Sequence, residues 1–257
     1  MFTTERAIQE MRGINNVLLD RFVDENDDFL GLLSLSMRRP EAAAEEIDRL
    51  GSEKGIVGAF IVSGQEFQKP IGDPSYDVVY RALSDNDLVP FFHVTEFTRK
   101  APAIRLYETA FEYHATGPPW SMMYGLVSLI AQGVPAKFPD LDFVMLEAGL
   151  GWIPYMMSRL NREYSTWRSQ APLLERMPED YIREQFYFAT QPLGEFNDPS
   201  HMLDLVRIIG ADSLMFASDY PHFDFDNPST LDTFFGRMTD EEREQVFNGN
   251  LRRVLDR

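Results

Sequence analysis

The chain has 257 residues, no cysteine and a formal net charge of −17. This length accommodates one large α/β domain or two smaller ones, and a hydrophobic content of 44% excludes a disordered chain. The absence of cysteine excludes disulfides, cysteine-ligated zinc, iron–sulfur clusters and a thiol nucleophile, and the acidic charge balance argues against nucleic-acid binding.

Helices alternate with short apolar strands along the chain. The first helix shows the 3.6-residue apolar period, and Pro40 opens the second. The predicted helices cover 3–22, 41–50, 76–86, 104–114, 120–132, 153–168, 178–184, 199–209 and 240–247, with a turn at 117–119. The predicted strands cover 29–35, 56–62, 88–94, 141–147, 186–190 and 213–219. This alternation is typical of a parallel sheet covered by helices, here in one domain over 1–257.

Six strands leave two α/β architectures open. A closed (β/α)₈ barrel needs eight strands, whereas an open doubly wound sheet fits six. No strand is followed by G-x-G-x-x-G or a P-loop, so a nucleotide-binding form of the open sheet has no support. No apolar run reaches 18 residues and the N-terminus is polar, so we expect a cytoplasmic protein without a membrane partner.

Three predicted strands end on an ionisable side chain, namely His93, Glu147 and Asp219. In parallel α/β folds the carboxyl ends of the strands line the active-site crevice. One imidazole and two carboxylates form a donor set that suits Zn, Mn or Fe. Each residue alone also has an ordinary structural interpretation, as a hydrogen-bonded histidine or an acidic helix cap. Their coincidence favours one divalent metal ion.

The segment after Asp219 adds another candidate. His222 follows three residues later, which predicts a group beside the metal that orients a bound water or acts as acid or base. We interpret Asp224 and Asp226 in the same acidic turn as solvated capping residues.

Other conspicuous residues have weaker functional interpretations. Trp120 and Trp152 are candidates for an apolar wall against an aromatic substrate, with core packing as the commoner alternative. Gly149 permits a positive φ or a close backbone approach. We interpret His114 and His201 as surface residues on helices. The chain has no G-x-S-x-G motif, so a serine hydrolase is not supported.

Two segments resemble the amidohydrolase-related family, the TIM-barrel branch that includes aminocarboxymuconate-semialdehyde decarboxylase and the resorcylate-type decarboxylases. They are 138–154, which begins FPDLDFV and ends EAGLGWIP, and 209–222, IGADSLMFASDYPH. The FFH of 91–93 and the NGN of 248–250 agree with it. The resemblance implies a (β/α)₈ barrel with one divalent metal at the carboxyl ends of its strands. It also implies a metal-dependent hydrolase or non-oxidative decarboxylase that acts on a small carboxylated or cyclic substrate.

The resemblance implies roles for four residues. His93 corresponds to the metal-binding histidine of the fifth strand, and Asp219 to the aspartate of the eighth. The sixth-strand position, often histidine in the family, is Glu147, which we expect to act as a catalytic acid or base or as a ligand. His222 is expected to be catalytic beside the metal, which we expect to be Zn, with Mn and Fe as alternatives.

The sequence departs from the family pattern at its start. No histidine precedes His93, so the first-strand motif His-x-His or Glu-x-His is absent. In this register the strand at 29–35 is the third, and we expect an N-terminally incomplete barrel. Its open edges favour association, of which a homodimer is one form.

Two alternatives to the enzyme remain open. One is a catalytically inactive homologue that serves as a scaffold or binding protein. The other is an open-sheet small-molecule binder without metal, in which His93, Glu147 and Asp219 lie far apart.

Overall fold

Six parallel strands form one sheet in the computed structural model, which describes residues 4–26, 28–62, 69–94, 104–194, 196–198, 200–227 and 235–255. The strands are β1 (Gly31–Ser34), β2 (Ile56–Val62), β3 (Val89–His93), β4 (Phe143–Met145), β5 (Phe186–Ala189) and β6 (Leu214–Met215). Each strand pairs in parallel with the next strand of the chain. A doubly wound sheet reverses its strand order at a switch point, and this sheet does not. The structure therefore confirms the six predicted strands and favours barrel-type winding.

Helices connect the successive strands. They are α1 (Thr4–Leu18), α2 (Pro40–Leu50), α3 (Asp77–Asp85), α4 (Ala110–Ala131), α5 (Val134–Lys137), α6 (Trp152–Trp167), α7 (Pro178–Gln185), α8 (Ser200–Ile209), α9 (Asp240–Glu244) and α10 (Asn250–Leu255). Proline occupies the first turn of α2, as predicted. None of the helices that the structure describes is both long enough and apolar enough to cross a membrane.

Helix α4 corrects one prediction from the sequence. The sequence predicts two helices with a turn at 117–119, but α4 runs through this segment without a break. Its start is fixed by a capping box, in which the Thr109 hydroxyl accepts from the backbone N–H of Glu112 and the Glu112 carboxylate accepts from that of Thr109. Pro118 is buried, so packing compensates for the hydrogen bonds that the two prolines cannot donate.

Both faces of the sheet are apolar. On the side of the helices, Phe143 stacks on Phe92 and Phe186, with ring centroids 6.4 and 4.8 Å away. On the opposite side, Phe91 belongs to a smaller buried cluster to which α10 contributes Val254. A parallel sheet covered on both faces leaves its strand ends as the place where polar side chains collect.

A buried polar network ties α1 and α2 to the first strand. The Asn15 side chain donates to the carbonyl of Ser34 and accepts from its backbone N–H, at 3.1 and 2.8 Å. Asn15 also donates to Glu46, whose carboxylate is fully buried and accepts from Arg49. These bonds anchor both helices to β1, the outermost described strand on its side of the sheet.

Candidate active site

The three strand-end residues singled out in the sequence meet at the carboxyl edge of the sheet. His93 ends β3, while Glu147 and Asp219 follow β4 and β6. One ligand atom each of Glu147, Asp219 and His222 all lie within 4.8 Å of one another. Nε2 of His93 lies 2.5 Å from Oε2 of Glu147. This arrangement contradicts the alternative of an open-sheet binder in which His93, Glu147 and Asp219 lie far apart.

The two carboxylates lie on unusual backbone. Glu147 and Asp219 both adopt left-handed conformations, with φ of +55° and +58°. Such a conformation costs most L-residues about 1–2 kcal/mol, and strain of this kind concentrates at functional sites. Gly149 has a φ of +64°, and a Cβ there would lie 2.9 Å from the carbonyl oxygen of Pro192. Only glycine fits that close approach, so the loop after β4 is held tightly against the loop after β5.

His93 faces a hydrogen-bond acceptor at each ring nitrogen. Nδ1 lies 2.7 Å from the carbonyl oxygen of Val94, and Nε2 faces Glu147. Burial lowers the pKa of His93, but the hydrogen bond and the charge of Glu147 outweigh burial and hold this pKa above its ordinary value. Because Nε2 hydrogen-bonds to the Glu147 carboxylate, one proton lies between these two atoms. Nε2 would have to lose that proton to bind a cation, since a metal-binding histidine offers a lone pair while its other nitrogen donates, here to Val94.

His222 lies between two carboxylates. Its Nδ1 is 2.9 Å from Oδ2 of Asp219 and 2.7 Å from Oδ1 of Asp224. The hydrogen bond to Asp224 and the charges of both aspartates raise the pKa of His222, although its ring is exposed. Burial and then the charge of Glu147 raise the pKa of Asp219. The cluster therefore retains protons at a pH at which separate carboxylates and imidazoles would lose them.

The donor set of the cluster fits a divalent cation. Carboxylate oxygens and imidazole nitrogens are ligands that Zn, Mn and Fe share. The ligand atoms of Glu147, Asp219 and His222 lie close enough together to share one cation, whereas His93 is joined to this group through the contact of its Nε2 with Glu147. The same residues can hold and move protons beside such a cation.

A cavity of about 710 Å³ adjoins the cluster, with His93, Glu147 and His222 in its lining. The rest of the lining is mainly apolar or aromatic, and α4 provides most of it. These residues are Val94, Ala110, Phe111, Tyr113, His114, Ala115, Pro118 and Phe223. A mostly apolar cavity of this size with a few convergent polar groups is typical of a small-molecule site.

Neither Trp120 nor Trp152 belongs to the described lining of this cavity. Trp152 is buried in the core, where its indole N–H donates to the carbonyl of Gly149 and its ring packs edge-on against Phe188. Trp120 lies on α4 and stacks on Tyr124. The structure thus places Trp152 according to the core-packing alternative, and the aromatic rings on the cavity wall are those of Phe111, Tyr113 and Phe223.

The structure gives His114 and Asp224 contacts that the sequence interpretation does not include. His114 lines the cavity, and its Nε2 lies 3.3 Å from Oδ2 of Asp224. Asp224 also contacts His222, so it is part of the site and not a solvated cap. A sequence signal for Asp224 exists, because two aspartates flank one histidine between 219 and 224. His114 has no local signal, since only the folding of α4 over the strand ends brings it there.

Asp226 also has a definite partner, unlike the solvated residue predicted. Its Oδ2 accepts from the backbone N–H of Leu193 at 2.8 Å. Burial raises the pKa of Asp226. This bond joins the loop after β5 to the loop after β6. His201 is exposed on α8, as predicted.

The family profile described as Amidohydrolase matches residues 1–257. The chain belongs to the amidohydrolase family. The gamma-resorcylate decarboxylase of Polaromonas sp. (strain JS666 / ATCC BAA-500) is 27% identical to it over 97% of this chain and 77% of that protein. The gamma-resorcylate decarboxylase of Rhizobium sp. (strain MTP-10005) is 28% identical, with the same shares covered.

Solved structures show the same fold. A 5-carboxyvanillate decarboxylase from Sphingomonas paucimobilis has a TM-score of 0.78 and 22% identity over 100% of this chain and 75% of that one. A dihydroxybenzoic acid decarboxylase from Polaromonas sp. JS666, with bound manganese and the inhibitor 2-nitroresorcinol, has a TM-score of 0.80 and 22% identity over 98% and 76%. These likenesses confirm the predicted amidohydrolase barrel fold.

Proposed function

We propose that this amidohydrolase is a non-oxidative decarboxylase of a small carboxylated aromatic compound and uses one divalent cation. The observation that carries the proposal is the cluster of His93, Glu147, Asp219 and His222 beside an aromatic-walled cavity. The relatives named as decarboxylases support the carbon–carbon lyase over the hydrolase and give an inactive scaffold no support.

His93 and Asp219 would hold the cation, with Glu147 or His222 available as further ligands. Manganese is bound in the Polaromonas enzyme, so Mn²⁺ is the first cation to test, ahead of the Zn²⁺ favoured from the sequence and of Fe²⁺. When bound, the cation supplies a positive charge that orients the substrate and stabilises negative charge developing on it.

The remaining chemistry belongs to the side chains of this chain. Decarboxylation breaks the bond between the ring carbon and the carboxylate, leaves the electron pair on the ring and releases CO₂. That ring carbon must then receive a proton, and Glu147, which lines the cavity, is the acid that we assign to this step. His222 is held by Asp219 and Asp224 and donates a hydrogen bond to a substrate oxygen.

The wall from α4 has a separate role. Phe111 and Tyr113, with Phe223 from the loop after β6, provide ring faces against which an aromatic substrate can stack. Phe111 and Phe223 are exposed to solvent, and a bound substrate ring would cover them and displace water from the reacting carboxylate. Apolar surroundings favour conversion of the charged carboxylate into neutral CO₂, because an isolated carboxylate is costly to hold away from water.

The test is a decarboxylation assay on the Mn²⁺-loaded protein. Hydroxylated benzoates labelled with ¹³C at the carboxyl group are supplied in D₂O, and mass spectrometry follows ¹³CO₂ while NMR follows deuterium at the ring carbon. In the wild type we expect release of ¹³CO₂ and incorporation of one deuterium per turnover. Both should be lost in Glu147→Gln and Asp219→Asn. Both should be retained in Glu45→Gln, which changes an exposed residue on α2. Hydrolysis of ester or amide analogues without CO₂ release would contradict the proposal, as would no reaction with either.

We also propose that the chain associates as a homodimer. Ile14, Val17 and Phe22 in the first helical segment, with Phe29 and Leu30 just before β1, are apolar and more than half exposed. Side chains of this kind near a sheet edge favour association. Light scattering coupled to size-exclusion chromatography should give the mass of a dimer, and a monomer mass at all concentrations would contradict this.

A further inference from the structure

His114 is an imidazole on the wall of the cavity that the proposed reaction does not use. It comes from α4, whereas His93, Glu147 and His222 come from the strand ends, and all four line the same cavity. Its ring lies 5.4 Å from that of Phe223, which in turn lies 4.6 Å from the ring of His222. His114 therefore belongs to the surface that a bound ring would contact.

Asp224 holds this imidazole in place. Nε2 of His114 lies 3.3 Å from Oδ2 of Asp224, while Oδ1 of the same carboxylate contacts His222. Oδ2 is buried and has no well-aligned hydrogen bond within the described ranges. A buried carboxylate oxygen without a donor is unfavourable, so the proton of the neutral His114 ring belongs on Nε2. Asp224 thus links the α4 wall to the strand-end cluster.

This tautomer determines which groups His114 can recognise. With the proton on Nε2, Nδ1 carries a lone pair and accepts hydrogen bonds. A hydroxyl group can donate to it, whereas an ionised carboxylate has acceptors only.

The charges around the cavity agree with this preference. Glu147 lies in the lining, and Asp224 lies against two of the lining histidines. Neither lysine nor arginine occurs in the part of the lining that the structure describes. A second carboxylate on the substrate would be placed near these acidic groups, but a neutral hydroxyl would not be repelled by them.

We infer that His114 is a specificity-determining residue that accepts a hydrogen bond from a ring hydroxyl of the substrate and is positioned for this by Asp224. This inference rests on the proposed function, because it assumes that an aromatic carboxylate occupies the cavity. It adds a contact on the helix side of the cavity, away from the cation ligands.

The experiment compares binding of matched ring compounds to the Mn²⁺-loaded protein by calorimetry. The probes are benzoate, its 2-, 3- and 4-hydroxy derivatives and the corresponding benzenedicarboxylates. The variants are His114→Phe, which keeps a ring against Phe223 but removes both nitrogens, and His201→Phe, which removes an exposed imidazole from α8. Circular dichroism and thermal melting check that each variant is folded.

In the wild type and in His201→Phe we expect at least one hydroxybenzoate to bind about 3- to 10-fold more tightly than benzoate, the range of one net hydrogen bond. No benzenedicarboxylate should show such a gain. His114→Phe should lose the preference for the hydroxyl, measured as the ratio of its own affinities for the hydroxybenzoate and for benzoate. Asp224→Asn should reduce that preference, because the amide no longer fixes the tautomer of His114.

The outcomes separate this inference from the proposed function. If folded His114→Phe keeps the full preference for the hydroxyl, or if the wild type shows none, the inference is overturned and the proposed decarboxylation stands. If the wild type gains affinity from a second carboxylate instead, the inference is also overturned. If the Mn²⁺-loaded wild type binds none of these aromatic acids, the proposed function itself fails and the inference falls with it.

Discussion

The left-handed backbone at Glu147 predicts that the site stores strain, and two substitutions can measure it. Glu147→Gly and Glu147→Ala both remove the carboxylate and its contact with His93, so they differ only in the Cβ atom. At the φ of +55° found here, a Cβ costs about 1–2 kcal/mol. The glycine variant is less stable by about 0.4–1 kcal/mol for a second reason, because its unfolded chain has more conformational freedom. The balance predicts that the glycine variant is the more stable by about 0.5–1 kcal/mol.

Glu45 provides the matched control. It is exposed in the middle of α2, where the backbone is helical. There the same pair of substitutions should have the opposite sign, with glycine less stable than alanine by about 1 kcal/mol. The two positions should therefore differ by about 1.5–2 kcal/mol in the effect of one Cβ atom.

The assay is urea denaturation of the four variants with metal removed by a chelator, which gives the free energy of unfolding of each. Equal m-values would show that the unfolded states are comparable. A Glu147→Gly variant that is less stable than Glu147→Ala by the amount seen at Glu45 would refute backbone strain at this position. In that case the site would hold its carboxylate without backbone strain.

Two buried polar residues, Glu46 and Asn250, anchor neighbouring elements and should contribute measurably to stability. Glu46→Gln removes the charge that accepts from Arg49 and should lower the free energy of unfolding in urea by about 1.5–3 kcal/mol. The exposed control Glu45→Gln should lower it by less than about 0.5 kcal/mol. Equal losses in the two variants would contradict a stabilising role of the buried network. Burial raises the pKa of Glu46, but the bonds from Arg49 and Asn15 outweigh it and hold this pKa below its ordinary value. The stabilisation by Glu46 is therefore present above the unfolded pKa of about 4.3 and is lost as the pH falls through the folded value. Thermal melting from pH 6 to pH 3 should show a shallower decline in Glu46→Gln, and parallel curves would refute this. The Asn250 side chain donates to the carbonyls of Ala211 and Leu214 at 2.7 and 2.6 Å. Asn250→Ala should therefore lower the free energy of unfolding by about 1–3 kcal/mol. An unchanged free energy of unfolding would contradict this anchoring role.

The strands could be predicted from the sequence because each is a continuous apolar run between turn residues, and a parallel sheet buried on both faces requires that pattern. The winding of the sheet could not be predicted in the same way. Six strands fit two architectures until the pairing order of neighbouring strands is known. Helix α4 was predicted as two pieces because the prolines at 118 and 119 normally end a helix, and only the burial of Pro118 outweighs that tendency.

Some residues of the candidate site could be predicted from the sequence, and others could not. His93, Glu147 and Asp219 could be identified because strand-end positions are local features of the sequence. His114 could not, because it reaches the cavity through the packing of α4 over the strand ends. For Trp120 and Trp152 the sequence leaves substrate wall and core packing open, because a large aromatic side chain fits either environment and the sequence does not distinguish them.

Calorimetric titration of metal-free protein with Mn²⁺ tests most directly our central claim, the binding of one divalent cation by the strand-end cluster. The wild type should bind one Mn²⁺ per chain. Asp219→Asn should lose this binding while remaining folded, and Glu45→Gln should bind as the wild type does. Absence of binding to the wild type, or equal binding by Asp219→Asn, would contradict the claim.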